Sequence, residues 1–451
     1  MLVSCGGSDG SSSETVASSD ASTGSSPESS APADTDAPTT TAAAMPPATR
    51  EWLVQFGTGG SDVLLGVTPA ANGDVWISGH TDSFVLEAPD LYGGTASSGL
   101  LDALVLRVDA AGKVLLPVQF GTTEADALLG SATTAEDGVA VIGYSKGEFA
   151  TTNYGINDMI VAKLTSQGAE EWHAQLGGPD WDRGYSVAVA DDGSVFVGGY
   201  TFGGIAENFG GAGQGNHDAV VAKLSPTGEI LWVASVGTPD VEWGQSLALD
   251  AEGGVVIVGY TQGAWNGDNA GARDYFVARI APDGTLDWIV QGGSELDDWL
   301  QGVAIASDGT IWAGGFTAGA EGSLGGTDMF LVRVSPTGEL LGEARLGTDG
   351  DDRIFGLVPT DDGDVYVSGT VSGSFNGGTW AGKKDVVVAR LGPDGTVRWS
   401  DQFGGDVDDD AYGLAGVDGR LIAVGVTAGL IDSSVSSYGG PTDGWMVSYR
   451  L

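Results

Sequence analysis

The sequence predicts an all-β fold, a seven-bladed β-propeller of four-stranded blades behind an N-terminal stalk, and three observations carry that prediction. Gly supplies 76 of the 451 residues and Trp 13, while helix-favouring runs of Ala, Leu, Glu and Lys are nearly missing, so the chain reads as short strands joined by tight turns. An Asp that opens one strand recurs at Asp102, Asp158, Asp218, Asp274, Asp328, Asp385 and Asp443, at a spacing regular enough to mark seven repeats. One of the two turn motifs occurs only six times, and that shortfall fixes how the ring closes.

The unit is clearest between Asp182 and Gly237. Ser186-Val187-Ala188-Val189 forms strand a, Asp192-Gly193 the turn, and Val195-Phe196-Val197-Gly198-Gly199-Tyr200-Thr201 strand b. A Gly-rich loop leads to strand c, Asp218 to Leu224, then a turn at Thr227-Gly228 and strand d, Trp232 to Gly237. Short apolar runs bounded by Asp-Gly or Thr-Gly are hairpin signals, because Gly supplies the positive φ of a tight turn.

The a-to-b turn is complete, at Asn72-Gly73, Asp137-Gly138, Asp192-Gly193, Glu252-Gly253, Asp308-Gly309, Asp362-Gly363 and Asp418-Gly419. The c-to-d turn falls only at Ala111-Gly112, Gln167-Gly168, Thr227-Gly228, Asp283-Gly284, Thr337-Gly338 and Asp394-Gly395. The repeats begin with a lone strand d, Trp52 to Gly57, and end with a strand c at Trp445-Met446-Val447. The two fragments make one blade if the ends meet, which leaves no free sheet edge. Residues 51–451 therefore read as one domain, a monomeric propeller.

The preceding chain divides into residues 1–5 and 6–50. Leu2-Val3-Ser4-Cys5 resembles a bacterial lipoprotein cleavage box, which makes Cys5 a lipidation site and implies a signal peptide that begins upstream of Met1. From Gly6 to Pro47 the chain is mostly Ser, Thr, Ala, Asp, Pro and Gly with no aromatic residue, a composition expected of a disordered linker. The expected location is extracytoplasmic, on a bacterial cell surface or in the periplasm, lipid-anchored to the membrane through Cys5. Cys5 is the single cysteine, which excludes an intrachain disulfide and a cysteine metal cluster.

Sixty-one acids against 18 Lys and Arg give a formal charge of -43, which argues against nucleic acid and anionic membrane surfaces as partners. Catalysis has little to work with. His80, His173 and His217 occupy unlike places in their repeats, and no thiol nucleophile or nucleophile-elbow Ser is present.

The string from Asp218 to Gly237, with its Asp-led strand, Thr-Gly turn, Trp and Gly, resembles the SBBP-type seven-bladed β-propeller repeat family, as does Gly363 to Thr370. The resemblance covers residues 51 to 451 and implies a bacterial surface or secreted propeller, without one shared reaction. Ser225 to Trp232 also looks like the Thr-Gly…Trp turn of quinoprotein-type propellers, which carry it in eight-bladed rings rather than seven.

The b-to-c and d-to-a loops share one side of such a ring, and the long b-to-c loops make that side the place for function. An acid precedes each innermost strand, at Asp62, Asp126, Asp182, Glu242, Asp298, Asp352 and Asp409. Two readings of this ring stand open. Each carboxylate holds its own loop's backbone, or together they bind a cation, most plausibly calcium. Strand c carries a base five residues after its Asp at Arg107, Lys163, Lys223, Arg279, Arg333 and Arg390, expected to tie neighbouring blades together.

Trp181, Trp243 and Trp299 flank ring acids, and Trp265 and Trp380 lie in b-to-c loops. Flat aromatic faces beside carboxylates suit sugars or cationic peptides. Packing at the ends of the inter-blade core accounts for them equally well. The Trp of strand d (Trp52, Trp172, Trp232, Trp288 and Trp399) read as packing alone. The functional expectation is a non-catalytic cell-surface binding or interaction propeller for an extracellular glycan, peptide or protein, with a carbohydrate-active enzyme using two acids on the loop-rich face as the alternative.

Overall fold

The computed structural model describes residues 47–83, 100–149, 152–202, 205, 217–265, 267, 269–319, 323–436 and 438–451. Cys5 and the linker before Pro47 lie outside them. The described residues form seven four-stranded antiparallel sheets arranged as the blades of a propeller. Their one named helical element is the 3-10 turn Ala71–Gly73, in keeping with the scarcity of helix-favouring runs.

The third blade shows the order, with strands Asp182–Val189, Val195–Phe202, His217–Leu224 and Ile230–Val236 paired in sequence from the axis outward. Its turns bend where the sequence places them, at Gly193 with φ 81° and Gly228 with φ 84°. The last sheet confirms the closure. Thr49–Phe56 pairs with Asp443–Arg450, outside Arg420–Thr427 and Asp409–Val417, so the first strand completes the blade made by the last three.

Apolar side chains on both faces of each sheet form cores between neighbouring blades. One joins Phe196, Val221 and Val236 of the third blade to Leu247, Ile257 and Phe276 of the fourth. The outer-strand Trp do pack, and they also bind. The Nε1 of Trp52, Trp172 and Trp232 donates to the carbonyls of Ala110, Pro226 and Pro282, which places each indole on the c-to-d turn of the next blade.

The bases of strand c act more locally than expected. Arg279 pairs with Asp250, Glu252 and Asp287, and Arg390 with Asp362 and Asp364, all within their own blades. Lys163 pairs with Glu136 and Glu171 of its own blade. Arg107 reaches a neighbour, bonding Asp74 in its own blade and Asp137 in the next. The side chain lies over its own a-to-b turn, where Asp74, Glu136, Asp250, Glu252, Asp362 and Asp364 supply carboxylates.

All seven innermost strands share one irregularity. The pairing of strand a with strand b slips three residues after the ring acid, for instance between Gly184 and Ser186, or Ile354 and Gly356, leaving one bulged residue per blade. A bulge re-aims side chains, and here it decides what faces the axis.

Candidate functional site at the channel mouth

The central channel encloses a cavity of about 760 Å³, and the seven bulged residues Leu65, Leu129, Tyr185, Gln245, Gln301, Phe355 and Tyr412 all line it. None of the seven ring acids does. Each is at most 1% exposed and turns away from the axis into its own d-to-a loop. Asp62 accepts from Thr58 N and Oγ1 at 2.6 and 2.8 Å, Asp126 from Thr122 N and Oγ1 at 2.5 and 2.9 Å, and Asp298 from Ser294 N and Oγ at 2.5 and 2.8 Å. Glu242 takes the same bonds from Thr238, Asp182 takes the amide of Gly178, Asp352 that of Thr348, and Asp409 that of Gly405.

Each ring acid also faces the Asp that opens strand c of the preceding blade, as Asp126 faces Asp102 and Asp409 faces Asp385. Gly121 passes between the first pair so closely that a Cβ there would lie 2.9 Å from Asp126 Oδ2 and 3.0 Å from Asp102 Oδ1. Burial raises the carboxyl pKa of Asp62, Asp126, Glu242 and Asp352, and lifts Asp182 to about 6 and Asp409 to about 7, despite the bonds that favour the ionised form. Among the described residues no three His, Cys, Asp or Glu side chains gather as a metal site.

The residues after the ring acids are Val63, Ala127, Arg183, Trp243, Trp299, Arg353 and Asp410, of which Val63, Trp299 and Arg353 line the cavity. Four consecutive blades therefore present Arg, Trp, Trp and Arg. Strand b adds Tyr200, Tyr260 and Phe316 opposite Arg183, Trp243 and Trp299. The rings touch in one arc: Tyr185 to Trp243 at 5.8 Å, Trp243 to Tyr200 at 3.9 Å, Trp243 to Trp299 at 5.8 Å, and Trp299 to Phe316 at 6.0 Å between centroids.

Arginines close both ends of the arc. The Arg183 Cζ lies 4.6 Å from the Tyr144 ring centroid and 5.5 Å from that of Trp181, and the Arg353 Cζ lies 4.4 Å from that of Phe316. The other three sequence candidates separate from Trp243 and Trp299. Trp181 is 42% exposed and touches the arc through Arg183, whereas Trp380 is 49% exposed in a loop of the sixth blade. Trp265 is structural, packing on Phe276 at 5.4 Å and donating through Nε1 to Gly237 O.

Sequence reasoning missed Arg183, Arg353, Tyr185, Tyr200, Tyr260 and Phe316. The usable signal was variation, because the position after the ring acid changes from blade to blade while the acid does not.

Fold and site thus define a closed seven-bladed propeller whose channel mouth carries an aromatic and basic arc on one side. No family model matches the chain. The chain is similar to the regulatory protein FlaEY of Caulobacter vibrioides, 25% identical over 394 residues, covering 76% of this chain and 40% of the relative. It therefore spans about two-fifths of the length of that relative.

Similar solved structures include YCF48 bound to D1 peptide (TM-score 0.46, 11% identity, 91% of this chain and 97% of that one) and Drosophila Semaphorin 1b, extracellular domains 1-2 (0.47, 10%, 90% and 88%). Hydrazine synthase of Kuenenia stuttgartiensis matches with a TM-score of 0.49 at 13% identity, over 82% of this chain and 94% of that one.

Proposed function

We propose that this chain is a non-catalytic binding propeller of the SBBP repeat type, taking a glycan, peptide or protein segment at the loop-side mouth of its channel. The observation that carries this reading is the aromatic arc through Tyr185, Trp243, Trp299 and Phe316, of which Tyr185 and Trp299 line a cavity that all seven blades share. Ligand sites favour concave, apolar surfaces of about 300–1,000 Å³ with a few polar groups. The likeness to a relative named as a regulatory protein supports interaction rather than turnover. In this reading lipidated Cys5 and the linker display the propeller outside the cytoplasm.

An acid-pair enzyme would need two carboxylates turned to the cavity, and the seven ring acids are buried in their loops instead. The test is retention of the full chain on glycan and peptide arrays, comparing the natural protein with Trp243→Ala/Trp299→Ala. The double variant is expected to lose at least tenfold in retention while melting cooperatively. Unchanged retention would place the site elsewhere.

A further inference from the structure

The channel mouth carries three features whose combination selects a ligand chemistry. The first is charge. In a chain of net charge -43, three of the four Arg residues of strand c, Arg107, Arg279 and Arg390, pair with acids, while Arg333 lies over Trp312. Arg183 and Arg353 make no ion pair with a carboxylate among the described residues and lie instead against aromatic rings. A guanidinium held against a ring rather than a carboxylate keeps donors available for an incoming carboxylate, to which its planar fork is matched.

The second feature is hydrogen-bonding capacity. Trp299, Gln301, Ser131, His80 and Thr442 line the cavity, and behind its surface Trp299 Nε1, Gln301 Oε1, Ser131 Oγ, His80 Nδ1 and Thr442 Oγ1 are buried with no partner within the protein. Buried polar groups favour a ligand that brings matching hydroxyls. Burial holds the His80 imidazole down to about 4, so it is neutral there at physiological pH. The third feature is the aromatic arc itself, whose rings suit the C–H faces of a sugar.

We infer that the channel mouth binds an acidic saccharide, a uronate or sialate-type sugar whose ring lies on Trp299 and whose carboxylate meets Arg353. This rests on the channel mouth being the ligand site, as proposed above. The two sit on adjacent blades and are linked through Phe316, which contacts both. Arg183, at the same register on the third blade, offers a second guanidinium for a longer acidic chain. A neutral sugar would find the stacking surface but leave both arginines unpaired. A simple inorganic anion would find the arginines but leave the arc and the polar wall uncovered.

The experiment is calorimetric titration of the full chain with two matched pairs, trigalacturonate against galactotriose and sialyllactose against lactose. At least one acidic member is expected to bind tenfold or more tightly than its neutral counterpart. Arg353→Gln should bring the acidic sugar down to the neutral level, and Trp299→Phe, which keeps a ring and the fold, should weaken it less than Trp299→Ala. Failure of both acidic sugars to bind, equal binding within each pair, or an unchanged affinity in a cooperatively melting Arg353→Gln would overturn the inference. If array ligands still depended on Trp243 and Trp299 in that case, the binding site would stand and only its anionic preference would fall. If no ligand depended on them, both readings would fall together.

Discussion

Gln55, on the first strand, donates through Nε2 to Asp443, on the last, at 2.6 Å, and to the carbonyl of Gly429 at 2.7 Å. Within single repeats the same bond joins Gln119 to Asp102, Gln175 to Asp158, Gln291 to Asp274 and Gln402 to Asp385. The outer-strand amide thus fastens the Asp that opens strand c, and in the closing blade it does so between the two ends of the domain. Arg50 adds a clasp to the sixth blade, its Nε donating to Asp401 at 2.9 Å.

Removing residues 47–58 should therefore open the ring. The expected result is loss of cooperative melting and aggregation through the bared edge of Asp443–Arg450, read by circular dichroism and light scattering. Trimming only the residues before Pro47 should leave the melting temperature unchanged. Gln55→Ala, which strips a partner from buried Asp443, should cost about 1–3 kcal/mol in chemical denaturation.

Stability should depend on pH with an unusual sign. A carboxyl whose folded pKa lies above its ordinary value contributes stability that is present at low pH and lost as pH rises through the folded value. For Asp409 the window runs from about 4 to about 7, and for Asp182 to about 6. His80 opposes them, since its lowered pKa weakens the fold as pH falls from 6.5 towards 4. Asp409→Asn isolates one contribution. Relative to the natural protein it should be more stable at pH 8 than at pH 5, by on the order of a few kcal/mol, since each tenfold change in proton affinity corresponds to about 1.4 kcal/mol. A difference independent of pH would show that the carboxyl titrates at its ordinary value.

Two turn glycines with the same backbone separate strain from packing. Gly228 and Gly363 both have φ 84°, but a Cβ at Gly228 would lie 2.8 Å from the Trp172 ring while one at Gly363 meets nothing within 4 Å. Gly363→Ala should cost about 1–2 kcal/mol for the left-handed conformation alone. Gly228→Ala should cost a further 1–3 kcal/mol, roughly the penalty for overpacking, because the indole must leave its seat on the turn. Equal destabilisation of the two would mean that Trp172 moves freely.

Blade number and closure were legible because tight turns need Gly or Asn and Asp at fixed places, and the c-to-d turn glycines Gly112, Gly168, Gly228, Gly284, Gly338 and Gly395 all carry positive φ. The direction of the ring acids was not. A run such as Asp182-Arg183-Gly184-Tyr185-Ser186 shows alternation, yet nothing in it says which face meets the axis. The bulge at Tyr185 then breaks the alternation, and both Arg183 and Tyr185 join the channel-mouth arc while Asp182 turns into its loop. Trp243 and Trp299 were found by type, whereas Arg353 was hidden among bases that serve structural pairs.

The ladder between Thr49–Phe56 and Asp443–Arg450 has a mechanical consequence. Thr49 lies opposite Arg450, at the end of the blade that carries the short turns, and Phe56 lies opposite Gly444 at the loop-rich end. The chain thus enters the domain on the side away from the channel mouth. Tension between that entry point and anything gripped at the mouth would run along the axis of the first strand. Bonds perpendicular to a strand resist sliding together rather than parting one by one, so the strand that seals the ring would meet such a load in shear, its strongest direction.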